Sequence, residues 1–298
     1  MITITTAVRE YKEMLYCEDL ASSTKEKYSS TVDQLIDFMK NTNKKVKYIN
    51  ALRHQTLTDY TDYLFTKNYT TQTIRVQLYA IKKFILFLID MGYLQDKNIA
   101  ISKTFINHII STRKTVAKKR EAITDEDFEI ISKNTNDVIK KLILLIHYRY
   151  GFRISEILKL KWSDINFESN KVYIQNLKGN NSVAIVIDSE IMNKIANLDK
   201  KNEWVFASYN KNDKHIHRST ISNNFKTVRE SNHLSKSICL HSLRHSFTTN
   251  NVINNVQDEY IVKHTGHKSL HVLNNYVVLN VENIRDVADS NSYNSLLL

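Results

Sequence analysis

"HSLRHSFTT" (residues 241–249) sets an arginine between two histidines. His241 and Arg244 are three apart, so a helix opening here aims both side chains to one side. A second histidine-rich run, "HTGHKSLHVLNNY" (264–276), follows shortly after. His267 comes directly after Gly266, and Tyr276 lies nine residues further on. One such histidine alone would read as a satisfied core residue. Several beside an arginine form a set of donors suited to an anion. The segments 242–253, 258–266 and 269–278 read as short helices closing the chain.

The surrounding composition supports an anionic partner. The 298 residues carry 42 Lys+Arg against 31 Asp+Glu, a formal charge of +11. Residues 1–120 hold 20 basic and 11 acidic side chains, so most of the excess lies there. Nucleic acid is the first candidate for such a chain. A hydrophobic fraction of 42% can fill two ordinary cores and excludes a disordered chain. Cys17 and Cys239 have no paired spacing, which argues against a disulfide framework and fits a reducing compartment. No signal peptide is expected, and runs such as "FILFLI" (84–89) are too short to span a membrane. With no proline and four glycines, turns must rest on Asn, Asp and Ser.

Residues 4–92 read as helical. Ser22 or Ser23 is the expected cap of a helix over 22–40, with Val32, Leu35, Ile36 and Met39 at helical spacing. A second pattern covers 56–68. The longest runs over 70–92, with Ile74, Leu78, Ile81, Ile85 and Leu88 as its apolar stripe and Gly92 as its stop. Arg75, Lys82 and Lys83 fall off that stripe, as a solvated face or a DNA-facing one. Residues 101–123 read as a basic linker that includes "RKTVAKKR" (113–120), either a solvated connector or a strap along a phosphate backbone. A second domain opens at Thr124, the expected cap of an acidic helix start. "DVIKKLILLIHYRYG" (137–151) is a strongly apolar helix ended by Gly151. Residues 171–187 read as two strands around a Gly-Asn turn, followed by helices near 188–197 and 218–231. The expectation is a mainly α fold with a small antiparallel β-sheet, in two domains: 1–100 helical, 101–123 linker, 124–298 carrying the chemistry and a C-terminal tail.

The chain has no Walker loop, GxGxxG, paired-Cys zinc spacing or Gly-x-Ser-x-Gly elbow. What remains is cations, imidazoles and a phenol. Arg153 opens "RISEILKL", with Glu156 one turn on and able to pair with it. Lys178 sits beside Gly179 at the expected hairpin tip. Taken singly, each is an ordinary surface residue.

Taken together they resemble a known family. "HSLRHSFTT…HTGHKSLHVLNNY" is similar to the second box of the tyrosine recombinases, the phage-integrase and Xer-like family. "YGFRISEILKLKWSDI" (150–165) resembles the family's first box, where an arginine precedes I/V-S-E. The resemblance covers nearly the whole chain. Two departures are mild: "HTGH" where an aliphatic residue often precedes G-H, and "YGFR" for the commoner T-G-x-R.

The resemblance implies a helical, SAM-like core-binding domain and a C-terminal catalytic domain. The implied activity is site-specific DNA recombination through a 3′-phosphotyrosyl intermediate, serving integration, excision or resolution, without metal or cofactor. It makes Tyr276 the nucleophile, Arg153 and Arg244 the phosphate clamps, Lys178 the general acid, and His241 and His267 proton and phosphate partners. Glu156 and His245 would support them. Thr71, Gln72, Thr73, Arg75, Lys82, Lys118, Lys119 and Arg120 are candidate DNA contacts. The implied partners are double-stranded DNA with paired recombination sites, a homotetramer on that DNA, and accessory DNA-bending or directionality proteins, in the cytoplasm at the nucleoid and with no membrane. The tail after Tyr276 is expected to dock on a neighbouring protomer. The alternatives are a type IB topoisomerase-like nicking and resealing enzyme, a zinc site on His264, His267 and His271, and a binding protein without catalysis.

Overall fold

The computed structural model describes residues 1–42, 47–94, 103–112, 121–175, 182–210 and 214–266. The chain divides into two compact units, Met1–Ala117 and Lys118–Leu298.

The first unit is helical. Its elements are α1 (Ile4–Cys17), α2 (Ser22–Thr42), α3 (His54–Thr66), α4 (Thr71–Asp90) and α5 (Lys103–Thr112). Threonine hydroxyls start two of them: Thr3 accepts from the Thr6 amide and Thr70 from the Thr73 amide, each at 3.2 Å. Ser22 and Ser23 lie inside the first turn of α2, so neither is its cap. The stripe Ile74, Leu78, Ile81, Ile85 and Leu88 is fully buried, as its spacing requires. Each such side chain contributes about 1.5–3 kcal/mol by leaving water. Tyr11 of α1 meets Phe84 of α4 edge-on with centroids 4.9 Å apart. Gly92, at φ +69°, takes the left-handed turn that ends α4.

Part of the expected linker 101–123 folds differently. Residues 103–112 form α5, and Ile106 is buried in the first unit's core. The apolar residues of "TFINHII" outweigh the basic context. Residues 113–120 lie outside the described residues.

The second unit surrounds α7 (Val138–Tyr150), which packs on α11 (Leu240–Ile253). The other elements are α6 (Asp125–Lys133), α8 (Ile154–Leu158), β1 (Ile165–Asn166), β2 (Lys171–Gln175), β3 (Ser182–Val186), α9 (Ser189–Ala196), α10 (Arg218–Ser231) and α12 (Asp258–Thr265). The strands form one antiparallel sheet in the order β1-β2-β3, with Val172 opposite Ile185 and Ile174 opposite Val183. Val172 and Ile174 point into the core, the alternation expected of a half-buried strand. β1 was not foreseen, since two residues carry no periodicity. The β2–β3 connection lies outside the described residues.

Caps explain the helix limits. Thr124 accepts from the Asp127 amide at 3.2 Å and Asp137 from the Lys140 amide at 2.9 Å. Gly151 ends α7 at φ +60°, and a Cβ there would run into the Phe247 ring. Asn68, Asn170 and Asn255 also take positive φ. Asparagine tolerates that region best among side-chain-bearing residues, so it serves where a proline-free, glycine-poor chain must turn.

Candidate active site

The site grows from the C-terminal end of α7. Beyond Gly151 the chain turns through Phe152 and Arg153 into α8. Arg153 is the residue preceding α8, and Glu156 locks it twice. One Glu156 oxygen accepts from the Arg153 amide at 2.8 Å, and the other accepts from Nη1 at 2.7 Å. Glu156 is almost fully buried, so this pair is shielded from solvent. Nη2 of Arg153 donates to the Gly266 carbonyl at 2.7 Å.

Arg244 arrives from α11. It is 3% exposed, an unusual state for a cation unless it is paired. Nη1 donates to the Gly151 carbonyl at 2.6 Å, and Nη2 donates to the Thr265 carbonyl. The guanidiniums of Arg153 and Arg244 therefore end on consecutive carbonyls, Gly266 and Thr265, at the end of α12. Two residues 91 positions apart in sequence meet there. Both present planar donor forks.

The histidines divide. His241 lies exposed in the first turn of α11, one helical turn before Arg244. His245 is half-buried, with Nδ1 3.2 Å from the Thr249 hydroxyl. His264 stacks on Phe152 and Phe247, and its Nε2 lies 2.6 Å from the Tyr150 carbonyl. That contact engages one of its two ring nitrogens. Burial lowers the His264 pKa below its ordinary value. Ser246 ties α11 to the start of the unit, accepting from the Ile123 amide at 2.7 Å.

Of the expected set, Arg153, Glu156, His241, Arg244 and His245 fall in this region. Lys178, His267 and Tyr276 lie outside the described residues, as do Lys118, Lys119 and Arg120. Thr71, Gln72, Thr73, Arg75 and Lys82 lie on the first unit, along α4. Gln72 is exposed, whereas the other four are partly covered. The Thr73 hydroxyl lies 2.9 Å from that of the cap residue Thr70, so it takes part in the helix start. The buried Nε of Arg75 has no hydrogen-bond partner among the described residues.

Sequence reasoning missed His147. It sits 1% exposed in the last turn of α7, with its ring between two backbone carbonyls. A polar residue within "LILLIHYRY" was its only signal.

Comparison with known proteins follows the same division. The phage integrase family model matches residues 121–283, and the N-terminal SAM-like domain model of phage integrases matches residues 8–92. A TnP I resolvase of Bacillus thuringiensis is 23% identical over 271 residues, covering 88% of this chain and 92% of its own. Tyrosine recombinase XerC of Pediococcus pentosaceus is 24% identical over 294 residues, covering 93% and 94%. A lambda integrase dimer bound to a COC′ core site superposes with a TM-score of 0.70 at 17% identity, over 92% of this chain and 77% of that one. At that identity the likeness is one of fold.

Proposed function

The chain belongs to the phage integrase family, enzymes that break and rejoin DNA, and on that premise we propose how its own residues carry out site-specific recombination. The chain cuts one DNA strand through a 3′-phosphotyrosyl intermediate at Tyr276 and rejoins it to a new partner. The observation that carries this reading is the convergence of Arg153 and Arg244 on the carbonyls of Gly266 and Thr265, immediately before His267.

A phosphodiester is anionic and resists an oxyanion. Two guanidiniums offer paired donors to its non-bridging oxygens. Their fixed positive field favours the more highly charged pentavalent transition state, and such fields commonly supply most of the rate enhancement. Ionising a free phenol of pKa about 10 at pH 7 costs about 4 kcal/mol. The cationic pocket and the imidazoles of His241 and His267 reduce that cost. The Tyr276 oxygen forms a bond to phosphorus as the bond to the 5′ oxygen breaks, and Lys178 gives that oxygen a proton. The ester keeps the bond energy, so a 5′ hydroxyl from a second strand reverses the step without a nucleotide cofactor or metal.

The first unit would serve as the core-binding domain and the second as the catalytic one, joined by the basic stretch within 113–120. Thr71, Gln72, Thr73, Arg75 and Lys82 on α4, with Lys118, Lys119 and Arg120, would meet the duplex. One solved structure of similar fold is a lambda integrase tetramer on a Holliday junction, with a TM-score of 0.70. That likeness supports assembly of this chain as a homotetramer on paired sites. No helix among the described residues is long and apolar enough to cross a membrane. The work would take place on DNA in the cytoplasm.

A nicked duplex, its sequence selected by the chain from a randomised pool, tests the reading. The wild-type chain should become covalently attached, and Tyr276→Phe should bind equally and not attach. Binding without attachment by the wild type would overturn the reading. Relaxation of supercoils without exchange between paired sites would favour the topoisomerase alternative.

A further inference from the structure

Three consecutive carbonyls leave the end of α7, and each meets a nitrogen-bearing side chain. His264 Nε2 lies 2.6 Å from Tyr150 O, Arg244 Nη1 donates to Gly151 O at 2.6 Å, and His147 Nδ1 lies 2.6 Å from Phe152 O. Helix C-termini leave such carbonyls without intrahelical partners and gather negative partial charge there. The set therefore satisfies a turn that must be buried.

His147 does more than cap. Its Nε2 lies 3.0 Å from the Leu240 carbonyl. Phe152 directly precedes Arg153, and Leu240 directly precedes His241. One rigid five-membered ring thus meets the backbone at the residue before each of two phosphate-facing side chains. It comes from α7, five residues before Phe152, so the Leu240 contact is the one that reaches across the sequence. Arg244 also spans the two segments, from α11 to the Gly151 carbonyl, whereas Glu156 acts on the Arg153 segment alone.

We propose that His147 is a positioning residue that couples the backbone carrying Arg153 to the backbone carrying His241 and so sets where both side chains meet the scissile phosphate. The inference rests on the phosphate-binding reading of those two residues. Carbonyl oxygens only accept, so both contacts are hydrogen bonds when both ring nitrogens carry protons; the two carbonyls favour that form, while burial opposes its charge and lowers the ring's pKa to about 4. The rigid separation of the two ring nitrogens then fixes the spacing of the two segments. Leucine would fill the same space and offer no donor. Glutamine would offer an amide with two N–H groups on a flexible stem.

The test uses the full chain and the selected nicked duplex, with wild type, His147→Leu and His147→Gln. Three quantities are read: the covalent attachment rate at saturating duplex, the dissociation constant, and the rate ratio between the two phosphorothioate diastereomers at the scissile phosphate. His147→Leu should slow attachment ten- to a hundredfold, hold the dissociation constant within threefold, and move the diastereomer ratio towards one. His147→Gln should fall between it and wild type in rate and ratio. A structural role alone lowers active fraction and leaves the diastereomer ratio of the surviving enzyme untouched, so an unchanged ratio in both variants overturns the inference. If His147→Leu does not fold, His147→Gln decides, and wild-type rate and ratio in that variant overturn the inference. A wild type that attaches while both variants match it removes the inference and leaves the proposed function standing. A wild type that binds without attaching removes both.

Discussion

A guanidinium that is 3% exposed has to find acceptors, and Arg244 finds them in the Gly151 and Thr265 carbonyls. The side chain is therefore part of the fold before any DNA arrives. Arg244→Lys keeps the charge and loses the planar fork, so it should lower the covalent attachment rate by about 10²–10³ while the chain still folds. Arg244→Ala should also destabilise the second unit, by about 1–3 kcal/mol for each buried carbonyl left unpaired. Thermal unfolding beside single-turnover kinetics would separate the two. His147 makes a pH prediction. Burial, the largest cause, lowers its folded pKa from 6.5 to about 4, against the opposite pull of its two carbonyl contacts. Between those values the unfolded chain binds more protons, so stability should fall as pH drops from about 6.5 to about 4. His147→Gln should flatten that part of the urea-unfolding profile, and an unaltered slope would contradict the assignment. Arg153, His241 and Arg244 could be singled out in the sequence because their order and spacing match a family pattern. His147 could not, because a histidine in an apolar helix looks the same whether it holds one carbonyl or two.

At the scale of elements, the turn between α7 and α8 has least freedom. Gly151 sits at φ +60° against the Phe247 ring. Gly151→Ala meets both a left-handed backbone penalty of about 1–2 kcal/mol and that ring. Its melting temperature should fall by at least about 2–4 °C for each kcal/mol lost, with attachment slowed because Arg153 follows two residues later. A variant that melts and attaches like wild type would show that the turn is not constrained. Some element limits were readable from the sequence: Thr124 and Gly92 stand where the sequence put them. Three features were not. α2 begins at Ser22 instead of after a serine cap, β1 is too short for any pattern, and α5 hides within a stretch whose charge suggested a connector. In the last case burial of Ile106 and its neighbours decides the conformation, and that burial depends on partners distant in the sequence.

At the scale of the molecule, the +11 charge sets how the chain meets DNA. Each phosphate neutralised releases counterions, so log affinity should fall linearly with log salt at about 0.9 per contact. Replacing Lys118, Lys119 and Arg120 together with alanine should shallow that slope by about one unit per lost contact, with little change in which sequence is chosen. An unchanged slope would take these cations off the backbone. The division into two units followed from length and composition, whereas the extent of each depended on packing that no local pattern reveals. The central claim is that Tyr276 attacks a phosphate held by Arg153 and Arg244. Nuclease digestion of the covalent DNA complex followed by peptide mass spectrometry tests it most directly. A nucleotide remnant on the peptide at Tyr276, absent in Tyr276→Phe, is the result expected; a remnant on any other side chain would contradict it.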